Sequence, residues 1–85
     1  MPNAIPDKEG FKFYFYSNEG NEPPHVHVFK GSGAAKIWIT ALEVELESHY
    51  DFKKPELKKA IKLTFENRHQ ILNSWNEHIE RHRNR

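Results

Sequence analysis

The chain has 85 residues, a formal net charge of +1 and no cysteine, which excludes a disulfide framework and a thiolate metal site. A chain this short buries only about 60–65% of its unfolded surface, so a deep pocket around a large substrate is not expected. No apolar run approaches the roughly 18 residues of a membrane span, so we expect one soluble, cytoplasmic domain over residues 1–85 that contacts no membrane.

The first predicted elements are strands that follow a polar leader over residues 1–10. Residues 11–16 (FKFYFY) alternate phenylalanine with lysine and tyrosine, and this period of two with aromatic enrichment predicts a strand. The next run, SNEGNEPP, predicts a turn or connecting loop because it combines Asn, Gly and two prolines. Pro24 restricts Pro23 to extended conformations, which leads the chain directly into another strand.

Two further strands are predicted at His25–Lys30 and Ala35–Thr40, joined by the compact turn Gly31-Ser32-Gly33. Short connections between consecutive strands indicate an antiparallel meander. The residues Glu43–Glu47 (EVELE) also alternate, with Val44 and Leu46 inward, and would add a fourth strand. The sheet is therefore expected within residues 11–47.

The hydrophobic period changes from two to about 3.6 after Pro55, which predicts a helix over residues 54–82 and a tail over residues 83–85. The apolar stripe of this helix is formed by Leu57, Ile61, Thr64, Phe65, Leu72, Trp75 and Ile79. Uninterrupted, it would be roughly 40 Å long, so a break near Asn67–Gln70 is expected. The predicted fold class is α+β: a three- to four-stranded antiparallel meander packed against a C-terminal helix that the break divides into two.

The predicted sheet has two apolar faces. The residues of the first, which we call the core face, are Phe11, Phe13, Phe15, Val26, Val28, Ile37 and Ile39. The residues of the second, the aromatic face, are Tyr14, Tyr16, His25, His27, Phe29 and Trp38. Since only one helical segment is predicted, the aromatic face needs another cover. The C-terminal segment, a second subunit in a homodimer, or a ligand could supply it.

The aromatic face admits two interpretations. Aromatic rings with Lys12 and Lys36 nearby are typical of platforms that stack single-stranded RNA. Aromatic residues also favour strands in general, so the same face could be an interface with a partner protein. The second interpretation is favoured, since no segment matches the ribonucleoprotein motif.

The segment His25-Val26-His27-Val28 carries the other candidate chemistry, because alternation places both imidazoles on one face. They could supply two metal ligands, with His49 or Glu22 as a third. No third ligand has a recognisable spacing, however, so neither a metal nor another cofactor is expected. The pair His78 and His82 is spaced i, i+4 but lacks the HExxH arrangement.

Acid–base catalysis is the second option for His25 and His27. With Tyr14 or Tyr16 and a cation nearby, two imidazoles could cleave RNA without a metal, one as base and one as acid. Arg68 is the candidate cation, since it falls inside the apolar helix stripe, although a side chain that reaches solvent at the helix–sheet edge is the favoured explanation.

A structural role is the third and favoured option for His25 and His27, in which the imidazoles bond loop carbonyls, Glu19 or Glu22.

The charge distribution along the chain is compatible with several kinds of partner. Residues 1–52 hold four lysines against eight acidic residues, whereas residues 53–85 hold nine basic against four acidic residues. Such halves can serve nucleic acid, an acidic partner or docking within the chain.

The order Phe-x-Phe-x-Phe-x-Ser-Asn-Glu-Gly-x-Glu-Pro-Pro-His-Val-His-Val, then Ala34-x-x-x-Trp38 and Leu72-x-x-Trp75-Asn76-Glu77, closely resembles a bacterial domain of unknown function, the family numbered four-one-six-zero. The resemblance covers nearly the whole chain, and the segment EPPHVHV (22–28) is its most specific part.

The resemblance implies a partner rather than a reaction. Members of that family are often encoded beside a second family of small proteins, which looks like a toxin–antitoxin module and implies a cognate small protein partner and RNA as a further target. The sequence therefore favours an interaction protein, with a metal-independent RNase and a small metal-binding protein as alternatives. The expected contact surface comprises Tyr14, Tyr16, Glu22, Pro23, Pro24, His25, His27 and Trp38.

Overall fold

The computed structural model describes residues 3–16 and 22–83, with side chains as far as Arg81. Residues 17–21 of the predicted turn, including Glu19, and residues 84–85 of the predicted tail lie outside this description. Its elements in chain order are β1 (Asn3–Lys8), β2 (Phe11–Tyr14), β3 (His25–Lys30), β4 (Gly33–Ile39), β5 (Val44–Tyr50), α1 (Lys54–Glu66) and α2 (Arg68–Arg83). The strands form one antiparallel sheet in sequence order, so the α+β meander is confirmed.

The expected number of strands is too low, because the predicted leader contains β1. Ala4 and Ile5 of this strand are buried, 3% and 4% exposed. Two apolar neighbours followed by Pro6 do not alternate, and the pairing with β2 is irregular at two points, so no period of two was visible. The link to β2 is short because Glu9 and Gly10 both have positive φ, which suits a tight hairpin turn.

The core lies between the sheet and the two helices. All seven predicted core-face residues are buried, and the helix residues packed with them include Ala60, Leu63, Ile71 and Trp75. Pro55 lies in the first turn of α1, and the Glu56 carboxylate accepts a hydrogen bond from the Lys53 backbone N–H at 3.3 Å. In the described ranges no helix is long and apolar enough to cross a membrane.

The predicted helix break is confirmed at Asn67, between α1 and α2. Its side-chain amide donates to the Leu63 carbonyl at 2.8 Å, and its backbone N–H also reaches that carbonyl, at 3.1 Å. These bonds satisfy a carbonyl at the end of α1, where the helix itself supplies no further donors.

Strand β5 contains one extra residue relative to β4. Lys36 lies opposite Ser48, but the next residue, Ile37, lies opposite Leu46, so Glu47 is inserted as a β-bulge. Val44 and Leu46 consequently pack against the core, as predicted. Beyond the bulge the strand continues to Tyr50.

Candidate functional site

The aromatic face exists as predicted, on the side of the sheet opposite the core face. The register places Tyr14 beside His27 and His25 beside Trp38 across neighbouring strands. The rings of Tyr14 and Phe29 lie 5.9 Å apart between centroids. Because cross-strand pairs of this kind stabilise a sheet, part of the aromatic content is structural.

His25 is a packing residue within this face. It is 1% exposed, and its Nδ1–H donates to the Pro23 carbonyl at 2.9 Å. Its ring centroid lies 5.1 Å from that of Trp38 and 5.1 Å from that of Trp75 in α2. A ring enclosed between two indoles is poorly placed to touch a substrate.

His27 lies nearer the surface and stacks on Tyr16, with ring centroids 4.0 Å apart and an interplanar angle of 19°. Tyr16 is 41% exposed and follows the end of β2. A hydrogen bond from α2 fixes the Tyr16 backbone, because buried His78 donates from Nε2 to the Tyr16 carbonyl at 3.2 Å. The two histidines of the HVHV segment thus have different environments.

The residues Glu22, Pro23 and Pro24 hold the start of β3. The Pro24 carbonyl accepts a hydrogen bond from the Ile39 N–H at 3.0 Å, which prolongs the pairing of β3 with β4. The Pro23 carbonyl accepts the bond from His25. The Pro23 carbonyl thus fixes the first imidazole, and the Pro24 carbonyl fixes the strand that carries it.

A charged cluster lies beside these rings. The Lys36 ammonium is 3.1 Å from the Glu22 carboxylate and 3.1 Å from the Glu47 carboxylate, and 4.6 Å from the centre of the Trp38 ring. The hydrogen bond from Lys36 lowers the pKa of Glu22 below its ordinary value. Burial acts to lower the pKa of Lys36, but the bonds to Glu22 and Glu47 outweigh it and raise that pKa. Glu22 and Lys36 are therefore both charged at neutral pH.

A groove of about 200 Å³ opens on the aromatic face between β3, β4 and β5. Its lining includes Tyr16, His27, Phe29, Ala34, Lys36 and Tyr50. Tyr50 is 63% exposed and was missing from the predicted contact surface. The predicted strand ended at Glu47, where the bulge interrupts the alternation, so the pattern carried no signal for the last three residues of β5.

Arg68 lies at the break between α1 and α2 and binds two backbone carbonyls. Its Nε donates to the Ala41 carbonyl and its Nη1 to the Phe65 carbonyl, both at 2.9 Å, and its guanidinium lies 4.0 Å from the Phe65 ring centre. These contacts join the start of α2 to the turn between β4 and β5. None of the described bonds links Arg68 to His25 or His27.

The metal candidates do not converge. Within residues 3–16 and 22–81, no group of three His, Asp or Glu side chains is placed to hold an ion. His49 lines the groove, whereas Glu22 is bound to Lys36.

The chain matches the model of a known protein family. The family model described as "Domain of unknown function (DUF4160)" matches residues 10–76. The chain belongs to this family. The match begins at the turn before β2 and includes the aromatic face, the charged cluster and Trp75, whereas β1 and the end of α2 lie outside it. No curated protein and no solved structure matches the chain.

Proposed function

We propose that the protein is an interaction module whose aromatic face binds a small protein partner, as one component of a bacterial two-protein module of the toxin–antitoxin kind. The observation that carries the proposal is the division of the sheet: the helices pack against the core face, and although Trp75 of α2 also reaches His25, the aromatic face keeps rings at the surface. Tyr16 and Tyr50 are 41% and 63% exposed. Aromatic side chains, tyrosine among them, are enriched in protein interfaces.

The charged cluster supports a protein partner over a catalytic role. Lys36 is paired with both Glu22 and Glu47, whose carboxylates remain partly exposed and can contact a partner. An RNase that used His25 and His27 would need both imidazoles at the reacting phosphate, but His25 is enclosed, and of these two residues His27 alone lines the groove. The metal-independent RNase is the alternative function, and the metal-binding protein has less support because its third ligand is lacking among the described residues.

The test is co-purification of the protein with the product of its neighbouring gene. We expect a complex that the double variant Tyr16→Ala/Trp38→Ala disrupts. Leu42→Ala is the matched control, because Leu42 is 83% exposed on the turn between β4 and β5, away from the groove. Absence of a complex, or equal loss with the control, would refute the proposal.

A second measurement addresses the alternative. RNA incubated with the purified protein should remain intact, and His27→Ala should not alter that result. Cleavage that disappears in His27→Ala, while the circular dichroism spectrum stays native, would replace the proposed function with the RNase.

A further inference from the structure

We infer that the groove on the aromatic face receives an arginine side chain of the partner protein. The inference rests on the proposed function, since it names the chemistry by which the partner is recognised. It follows from three properties of the groove: the charge beside it, the exposed rings that line it and its size.

Lys36 lines the groove, and the charged cluster to which it belongs has a net negative charge. One ammonium, that of Lys36, is shared by the carboxylates of Glu22 and Glu47, which leaves this cluster with a net charge of −1. The other lysine of the face, Lys12, is itself 3.3 Å from Asp7. A phosphate would therefore approach carboxylates whose cations are already engaged, whereas a cation would complete their pairing. This distinction favours a basic peptide over RNA.

The rings favour a guanidinium among the cations. Tyr16, stacked on His27, and Tyr50 both present surface to the groove, and a planar guanidinium can stack on such a ring while it bonds a carboxylate. The face already holds a cation of its own chain in this way, since the Lys36 ammonium lies 4.6 Å from the Trp38 ring centre. The partner's arginine would repeat that arrangement beside Glu47.

The size of the groove fits one side chain. Its volume of about 200 Å³ is below the roughly 300–1,000 Å³ that is usual for sites that enclose a small-molecule ligand. The small side chain of Ala34, 8% exposed, leaves space between the rings. The groove is therefore suited to an anchoring side chain within a larger contact.

A different chain is the favoured source of this arginine. Arg68 is engaged by the carbonyls of Ala41 and Phe65, and the Arg81 guanidinium lies 3.7 Å from the Glu77 carboxylate. Both arginines whose side chains are described are thus occupied within their own chain.

The experiment measures fluorescence anisotropy of labelled probes against the full chain. The probes are the peptide Gly-Ser-Arg-Gly-Ser-Arg-Gly-Ser, the same peptide with citrulline for arginine, and octauridylate. We expect the arginine peptide to bind at least about tenfold more tightly than the citrulline peptide, because citrulline keeps the planar shape and loses the charge. Equal binding of the two peptides, or tighter binding of octauridylate, would overturn the inference.

Substitutions in and beside the groove test where the arginine peptide binds. Tyr50→Ala and Glu47→Gln should each weaken the arginine peptide about two- to fivefold, the range expected for a surface cation–π contact or ion pair. Tyr50→Phe should restore binding because it keeps the ring. Glu43→Gln is the matched control, since it removes the same charge from the turn before β5, which is not part of the Lys36, Glu22 and Glu47 cluster. Equal weakening by Glu43→Gln would reduce the effect to overall charge and refute the site.

The inference and the proposed function fail in different ways. If co-purification succeeds but Glu47→Gln and Tyr50→Ala bind the partner with unchanged affinity, the arginine site is wrong while the interaction module stands. If no complex forms, the proposed function itself is wrong. Light scattering supplies a third outcome, because a dimer that Tyr50→Ala dissociates would assign the face to a second copy of this chain and overturn the arginine site.

Discussion

His25 and His27 lie two residues apart on one face, yet the structure predicts very different costs for their removal. His25 is 1% exposed, between Trp38 and Trp75, whereas His27 is half-buried and stacked on Tyr16. Truncating a buried aromatic ring to alanine costs about 3–5 kcal/mol for phenylalanine or tryptophan, and a lost hydrogen bond adds about 1 kcal/mol. Because imidazole is smaller than phenyl, we expect His25→Ala to lower the free energy of unfolding by about 2–4 kcal/mol.

The same reasoning gives a smaller value for His27→Ala. A stacked aromatic pair contributes about 0.5–1.5 kcal/mol beyond its burial, and the half-buried ring leaves no closed cavity, so we expect a loss of about 1 kcal/mol. The total stability of a chain this long is about 4–13 kcal/mol. Loss of the His25 ring would thus remove a large share of it, and loss of the His27 ring would not.

Urea denaturation followed by tryptophan fluorescence measures both effects, since Trp38 and Trp75 flank His25. Two further variants separate the contributions of this residue. His25→Phe keeps a ring and loses the bond to Pro23, whereas His25→Asn keeps a donor and loses the packing, so we expect His25→Phe to be the more stable.

Two results would refute this reasoning. His25→Ala could cost no more than His27→Ala, which would mean that the enclosure between the indoles contributes little. Alternatively, a stable His25→Phe protein could lose its partner binding or an RNA cleavage activity, which would show that the imidazole itself acts in function rather than in packing.

Two predictions concern other parts of the same sheet. Gly33→Ala should destabilise the protein by about 1–3 kcal/mol, because the new methyl group would meet the Phe52 ring and lie 2.9 Å from the Asp51 carbonyl oxygen. Gly31→Ala has open space and only a positive φ to oppose it, a cost of about 1 kcal/mol, so a smaller urea shift for Gly33→Ala would contradict the packing argument. Lys36→Met should raise the pKa of Glu22 towards its ordinary value, as followed by NMR of the carboxyl carbon, and an unchanged titration would show that the ion pair is not its cause. Because the folded-state pKa is the lower one, this pair stabilises the native protein above the ordinary pKa, and that contribution is lost as the pH falls through the lowered value.

The two faces of the sheet could be predicted because strand alternation depends only on local geometry. Phe13 and Val28 are buried and Tyr14 lies on the other side, as the period of two requires. The helix break at Asn67 could be predicted from length alone. These features need no knowledge of distant contacts.

How deeply each residue of a face is buried could not be predicted from alternation. Alternation assigns His25 to the aromatic face, but its burial depends on Trp75, which lies in α2 and contacts both His25 and core-face Phe15. Tyr50 was missed for a related reason, because a bulge at Glu47 depends on how β5 pairs with β4. Strand β1 was hidden because its burial comes from packing rather than from a period in its sequence.

The irregular outer strands β1 and β5 have a consequence for how this protein assembles. A sheet can recruit another chain by continuing its hydrogen-bond ladder, and natural proteins oppose this with prolines, charges and bulges along the free margins. One margin here carries Pro6 and two breaks in register, and the other carries the Glu47 bulge. Sheet extension is disfavoured at both ends, which leaves side-chain contact across the broad surface of the sheet as the mode of association that this architecture favours.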